Sequence, residues 1–354
     1  ITSIIIYQIE AERFSLIEFY ERRARRLFPA LFIVIIFCIP FGWVFLIPSD
    51  LKDFGESIVF SSIFSSNFLF WREGGYFAPI AELKPLLHTW SLAVEEQYYI
   101  LFPIFLIYSW FLGIKRIVII LFFIFLLSLS LAHWGSINKP VASFFLLPTR
   151  GWEILIGVFT AFFLKKYDFF YSKIINQLLG LIGIILIIFS IIFFDKDTPF
   201  PSLYTLIPTL GTSMIIIGTV PNTFLFKILN LRFLVTIGLI SYSAYLWHQP
   251  MFAFAKHILF DQINYFVMLF LSIASFVLGY LSWKFIEKPF RHRNYISRKI
   301  FFSLCCVSIL IFSSLGLYIN QVNGFVKKYD QSKINVYESF NYGSSYVVKR
   351  FEDY

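Results

Sequence analysis

Charged residues are scarce in this sequence: Asp, Glu, Lys and Arg make up 14% of 354 residues, against 58% hydrophobic, and the mean hydropathy is +0.74. Soluble domains carry about 25% charged residues, so this composition describes a chain dissolved in lipid rather than in water. Cysteine is scarcer still. Cys38 and the adjacent Cys305 and Cys306 all fall inside apolar runs, at neither metal-ligand nor redox spacing, so they read as packing residues and no metal site is expected. No internal repeat, low-complexity block or signal peptide is visible. The chain opens at ITSIIIYQIEAERF without an initiator Met, and residues 1–6 read as the tail of a helix whose beginning is absent. Acidic residues are the minority sign, leaving a net charge of +9. On a soluble face that excess would suggest nucleic acid. Here the basic residues sit in short loops between apolar runs, so topology accounts for them and no nucleic-acid partner is expected.

What the chain does have is long apolar runs, and Arg22, Arg23, Arg25 and Arg26 stand directly before one that reaches Ile47. Basic residues stay on the cytoplasmic side of short membrane loops, so this cluster marks the inner face and the run after it crosses outward. A crossing needs about 20 apolar residues. Runs at 27–47, 91–111, 117–134, 150–164, 178–194, 203–220, 233–255, 264–286 and 300–320 predict an all-α polytopic transmembrane bundle of about nine full crossings. The stretch 54–71 carries Glu56, Asn67 and several serines and reads as a re-entrant or interfacial helix. With it left uncrossed, the inner loops (10–26, 112–116, 165–177, 221–232, 284–299) hold 18 Lys plus Arg and the outer ones (48–53 with 72–87, 135–149, 195–202, 251–262) hold 6. A full crossing at 54–71 would reverse that bias. Residues 1–320 then form one integral-membrane domain, and the polar stretch 321–354 is an extracytoplasmic linker.

Ionisable side chains at membrane depth cost roughly 2.5–3.5 kcal/mol each, so each asks for a reason. In His88-Thr89-Trp90-Ser91 to Glu95-Glu96-Gln97 at the start of an inward helix, only about 15 apolar residues, roughly 22 Å of rise, follow Gln97. Glu95 and Glu96 therefore lie within the membrane zone. Ser91 and Glu95 share a face, and both acids also suit the positive end of a helix dipole. Arg150 and Glu153, at i and i+3, can pair with each other, which fits a structural bridge as well as a substrate contact. Ser241, Tyr245 and His248 line one face of a later helix, but Ser241 and His248 are about 10 Å apart along it, too far for a nucleophile–base pair. Glu287 and Arg291 stand one turn apart beside Pro289, which marks a helix end and reads as a charged cap on the inner face.

With these residues in view, the chain resembles the acyltransferase-3 family of multi-span membrane O-acyltransferases, which decorate bacterial cell-surface polysaccharides. FYERRARRLFPAL resembles the family's R-R-x-x-R segment, with Arg22, Arg23 and Arg26 in the matching places. LLHTWSLAVEEQYYILFP, LLPTRGWEILIG, ISYSAYLWHQP and FIEKPFR resemble later signatures, so the likeness runs from about residue 13 to 291. It implies transfer of an acyl group, usually acetyl, from cytoplasmic acyl-CoA to a sugar hydroxyl of a surface polysaccharide such as lipopolysaccharide O-antigen. Acyl-CoA is then a co-substrate, no cofactor is bound, and the location is the bacterial inner membrane. Arg22, Arg23 and Arg26 become donor-binding residues, since Arg forks match the phosphates of CoA. The family's first helix carries a His eleven positions after a basic residue; this chain begins later, near the end of what would be the second helix. Relatives with a polar tail often continue into an SGNH-type esterase-like domain, which would follow Tyr354.

Acyl transfer from a thioester needs a base for the attacking hydroxyl and a donor for the oxyanion. His88 and His248 are the candidates, with Glu95 and Glu96 beside them as catalytic carboxylates. Ser91, Arg150, Glu153, Tyr242, Tyr245, Glu287 and Arg291 are expected to bind substrate or hold structure. Both histidines are expected on the outer half, about 30 Å across the hydrocarbon from the arginines. The rival reading is a transporter or flippase for a lipid-linked glycan, because intramembrane Glu, His and Arg also mark substrate pathways. Such folds carry inverted repeats with broken helices, and no such pair is visible.

Overall fold

The computed structural model describes residues 1–74, 81–166, 172–195, 197–259, 264–292 and 295–328. Every regular element among them is helical. In chain order these are α1 (Thr2–Glu10), α2 (Leu16–Phe45), α3 (Pro48–Ser62), α4 (Ser66–Arg72), α5 (Thr89–Ser109), α6 (Ile114–Asn138), α7 (Pro140–Phe145) and α8 (Leu147–Lys166). There follow α9 (Lys173–Phe193), α10 (Leu206–Gly218), α11 (Phe224–Leu229), α12 (Arg232–Leu259), α13 (Tyr265–Ser282), α14 (Lys288–Arg291) and α15 (Arg298–Gln321). The chain is an all-α, multi-pass membrane protein. Six helical stretches are long and apolar enough to cross: α2, α6, α7 with α8, α9, α13 through α14, and α15. Large apolar side chains such as Phe123, Ile191 and Phe270 point outward from them, as lipid-facing surfaces require.

Helices also form at the other three expected crossings. α10 is only 13 residues long, and α5 and α12 interrupt their apolar runs with Glu95, Glu96 and Gln97 or with Ser241, Ser243, His248 and Gln249. The stretch expected to be one re-entrant helix is two, α3 and α4, broken where Phe64 takes a positive φ of 52°. Neither half reaches about 20 residues. Several stretches counted as loops are helical: α2 begins at Leu16, well before the apolar run, α3 takes in residues 48–53, and α7, α11, α14 and the end of α12 lie in others. The reason for the first is local, since Glu18–Arg22 and Glu21–Arg25 pair at i, i+4, which supports a helix. Of the expected linker, residues 329–354 lie outside the described residues; 323–328 form a short turn in which Phe325 packs on Trp43 and Tyr318. Cys38 and Cys305 are buried as expected, whereas Cys306 is exposed.

Two compact units divide the chain. The first comprises residues 1–16 and 94–237, the second 17–93 and 238–354. In the first, Leu129, Ala132, Trp152 and Ile156 form an apolar core between α6 and α8, and α9 meets α10 backbone to backbone at Gly183 and Gly211. In the second, a larger core from α2, α3, α12 and α15 centres on Leu31, Ile35, Ile58, Leu246 and Phe312. There α3 and α15 meet at Gly55 and Gly316, where a Cβ on Gly316 would stand 2.4 Å from the Gly55 carbonyl oxygen. Without a hydrophobic drive between helices in lipid, such close approach supplies the packing energy. Gly316→Ala is therefore expected to destabilise by about 1–3 kcal/mol even though Ala favours helix by about 1 kcal/mol. Thermal unfolding in detergent checks this; an unchanged or raised midpoint would show that the two helices do not depend on contact at Gly316.

Candidate functional site

The basic turn of α2 separates its four arginines by face. Arg22 and Arg26, one turn apart, are exposed, Arg23 is half-buried, and Arg25 is 1% exposed. Arg25 Nε donates to Glu21 Oε1 at 3.0 Å, its Nη2 to the Ile296 carbonyl at 2.7 Å and its Nη1 to the Phe290 carbonyl at 3.3 Å, while the guanidinium lies 4.6 Å over the Phe301 ring. Arg298 reaches the other oxygen of Glu21 at 2.7 Å. Arg25 is thus a clasp that ties α2 to the chain between α14 and α15, a role the basic-cluster reading missed. The Glu21–Arg25 spacing was its signal. Arg22 pairs with Glu18 at 3.5 Å on the exposed side.

Beyond this turn the second unit buries another carboxylate. Trp283–Glu287 form a π-helical turn between α13 and α14, the kind of irregularity that often marks a functional position. Glu287 is fully buried, bonded by Ser243 Oγ at 2.8 Å and by Arg291. The helix runs on past Pro289 to Arg291, so Glu287 is an interior anchor rather than a solvated cap. Desolvating a carboxylate is offset only by such direct partners. Tyr242 donates to the Leu27 carbonyl at 2.9 Å, so this tyrosine also holds structure.

Farther along α12 the sequence candidates come together. Tyr245 donates its hydroxyl to the His88 carbonyl. That carbonyl cannot donate, so the single tyrosine proton is spent there and Ser91 Oγ must donate to Tyr245 Oη across 2.6 Å. The ring centroids of His88 and Tyr245 are 5.1 Å apart, those of Tyr245 and His248 5.4 Å, and those of His88 and His248 5.5 Å. His248 Nδ1 stands 2.5 Å from the Tyr245 carbonyl. A carbonyl only accepts, so Nδ1 carries the proton and Nε2 keeps its lone pair. His88 is 6% exposed, and neither ring nitrogen has a hydrogen-bond partner. A buried imidazole with no protein partner is unusual, since buried polar groups are as a rule hydrogen-bonded. Ser241 does not join the group: it is exposed and bonds back to Gly238.

The start of α5 is what aims His88. Ser61, Ser66 and Thr89 form a buried hydroxyl cluster at 2.8 and 2.9 Å, pinning the break between α3 and α4 to the first residue of α5. Facing pairs fix the level of the site along the bundle. Leu27 meets Tyr242, Phe37 meets Trp247 with centroids 4.8 Å apart, and Phe41 meets Phe254 at 5.6 Å, so α2 and α12 run parallel. From Leu27 to Phe37 is about 15 Å of rise, and from Tyr242 to His248 about 9 Å. Arg26 and Arg22 stand one and five residues before Leu27, so the basic turn and the histidine pair are about 11–23 Å apart along the axes, not about 30 Å. The longer figure took His248 for the outer end of its span, whereas α12 continues to Leu259.

In the first unit, Glu95 is exposed and Glu96 is buried on α5. Arg150 and Glu153 pair at 3.1 Å with side chains 15% and 18% exposed, and the guanidinium stacks 4.8 Å over Phe200 and 5.7 Å over Phe144. A largely buried Arg held by a carboxylate and two rings is braced in place. Among the described residues there is no cluster of three or more groups fit to hold a metal.

The chain is thus a polytopic helical membrane protein with a basic helix start, and two histidines distant in sequence meet within one of its units. Residues 7–284 match the acyltransferase domain model of the acyltransferase-3 family, and the chain belongs to that family. It is 31% identical over 84% of its length to the peptidoglycan O-acetyltransferase OatA of Listeria monocytogenes, covering 50% of that protein. It is 27% identical over 94% of its length to the O-acetyltransferase OatA of a Staphylococcus aureus strain, covering 58% of it, and 29% identical over 83% to that of another strain, covering 51%. The chain spans about half the length of the curated relatives it matches. No solved structure matches it.

Proposed function

We propose that this chain is the membrane part of an O-acetyltransferase that moves an acetyl group from acyl-CoA to a hydroxyl of a cell-surface glycan. The observation that carries the reading is His248, whose proton is fixed on Nδ1 and whose Nε2 is left basic 5.5 Å, centroid to centroid, from the orphaned ring of His88. Nε2 takes the proton of the acceptor hydroxyl as its oxygen attacks the thioester carbonyl. His88 offers its ring N–H to the oxyanion. The C–S bond then breaks, an O-acetyl ester forms, and the proton passes to the leaving thiolate to give free CoA. Glu95 and Glu96, on α5 and seven and eight residues after His88, are assigned to the acceptor side of this chemistry.

Arg22, Arg23 and Arg26 hold the phosphates of the donor. Their separation of about 11–23 Å from the histidines, short of a full crossing, lets the thioester arm extend inward from the basic turn, so no separate carrier of the acetyl group is needed. In this reading the protein sits in the bacterial cytoplasmic membrane, with the basic turn on the cytoplasmic side and the chain after α15 outside. Peptidoglycan is the acceptor that a relative's name supports; lipopolysaccharide O-antigen, the sequence expectation, has no such support.

Replacing Arg22, Arg23 and Arg26 together by Ala is expected to weaken acetyl-CoA binding at least tenfold. Folding should be little affected, because exposed ion pairs contribute about 0–1 kcal/mol. Donor titration of the full-length protein alongside a thermal melt makes the test. Unchanged affinity in a well-folded triple variant would remove the donor assignment.

A further inference from the structure

Past the histidine pair, in the same unit, a cavity of about 510 Å³ opens between the start of α3, the end of α4 and residues 81–87. Its size falls within the range of about 300–1,000 Å³ typical of small-molecule sites. One wall is a strap of chain held by α12. Gln249 donates to the Lys84 carbonyl at 3.1 Å, His257 Nε2 to the Leu83 carbonyl at 3.0 Å, and Tyr245 to the carbonyl of His88, which ends the strap. The cavity wall thus leads directly into the candidate base and oxyanion donor. Along α12 the order is Tyr242 at the level of the basic turn, then His248, then the strap contacts at Gln249 and His257.

The lining is charged but balanced. Lys84 bridges Glu73 Oε2 at 2.6 Å and Asp53 Oδ2 at 3.3 Å, Arg72 pairs with Glu56, which Asn320 also reaches, and Asp50 stands 4.0 Å from His257. With Lys52, three Lys and Arg face four carboxylates, a net of 3 − 4 = −1. Burial pushes the Glu73 carboxyl up despite the pull of Lys84. Burial works to lower Lys84, but Glu73 and Asp53 outweigh it and hold the ammonium above its ordinary value.

Such a wall suits neither ligand that a membrane acyltransferase could otherwise place there. A CoA polyphosphate needs an excess of positive charge, and an acyl chain needs a slot free of charge, whereas here seven charged side chains share the wall with apolar ones such as Phe54, Phe70 and Leu83. A neutral sugar, whose hydroxyls both donate and accept, matches carboxylates that are fixed by one cation and still have lone pairs to offer. We propose that this cavity binds the acceptor as a neutral oligosaccharide, with Asp53, Glu73 and Lys84 making the principal contacts. The inference rests on the acetyl-transfer reading and gives it an address for the acceptor.

A single cysteine at the rim tests it. Ser49→Cys lines the cavity, and a Cys306→Ser background removes the exposed native thiol, the other two being buried. The full-length protein in nanodiscs is labelled with a maleimide in the presence of an N-acetylglucosamine tetrasaccharide or of acetyl-CoA. Expected is slowing of labelling at least tenfold by saturating tetrasaccharide, none by acetyl-CoA, and a rise of about tenfold in the concentration needed once Asp53→Asn or Glu73→Gln is added. Glu73→Gln keeps the shape of the side chain, and a melting curve shows whether either variant still folds. Labelling insensitive to the tetrasaccharide in a protein that acetylates it would overturn the cavity assignment and leave the enzyme reading standing. Protection without any acetylation would uphold the cavity and sink the enzyme reading. Protection by acetyl-CoA alone would make the cavity a donor site and overturn the inference.

Discussion

His248→Asn is expected to lower acetylation of a glycan by about 10²–10⁴-fold, the usual worth of a positioned general base. Asn keeps a donor where Nδ1–H meets the Tyr245 carbonyl, so the packing against Tyr245 and His88 should survive, while the basic Nε2 is lost. The measurement is the rate of transfer from acetyl-CoA to an oligosaccharide by the full-length protein, with donor affinity measured alongside. Donor affinity should stay near wild type, because the arginines assigned to it lie about 11–23 Å away along the helix axes. His88→Gln should also slow transfer, but by less, since Gln can still offer an N–H to an oxyanion. Full activity in His248→Asn would exclude this histidine as the base. A large loss of donor affinity in the same variant would move it to the donor site.

The largest effect on stability is expected at Arg25 rather than at its exposed neighbours. Arg25→Met takes from the Glu21 carboxylate, 1% exposed, the guanidinium that shares it with Arg298, and strands the carbonyls of Phe290 and Ile296. Breaking a buried pair from one side costs about 3–5 kcal/mol. Arg25→Lys should fall short of rescue, because one ammonium cannot reproduce a planar fork that serves a carboxylate, two carbonyls and an aromatic face. A double change with Glu21→Gln should recover part of the loss by removing the uncompensated charge. Thermal midpoints and the yield of folded protein from membranes are the readout. A midpoint within a degree or two of wild type for Arg25→Met would show that the clasp is not needed to hold α2.

Much of the fold was legible because lipid imposes simple rules. Apolar run length gives helices at the nine expected places, and six helical stretches are long and apolar enough to cross. Periodicity also placed Tyr245 and His248 on one face, and the Arg150–Glu153 pairing followed from spacing alone. Charge type, however, does not reveal depth. Arg25 and Arg26 are adjacent and chemically alike, yet one is buried against Phe301 and the other exposed, because a 100° turn of helix puts them on different faces and only the neighbouring chain decides which face is covered. The same holds for Glu287. Its i, i+4 partner Arg291 suggested a surface cap, but a π-turn and Ser243, 44 residues earlier in the chain, make it interior.

The sequence by itself determined the class of molecule, the helical runs and the family, since these rest on local composition and short motifs. Tertiary structure alone decided which polar residues meet. His88 and His248 are 160 residues apart and approach only because a serine–threonine cluster fixes the start of α5 and Tyr245 reaches the His88 carbonyl. The charged cavity beside them joins α3, α4 and the strap at 81–87, none of which carries a motif that announces a site. Local sequence records what a helix would bury; which neighbour supplies the partner is set by packing between segments distant in the chain, where a hydrogen bond must be made or its desolvation cost borne.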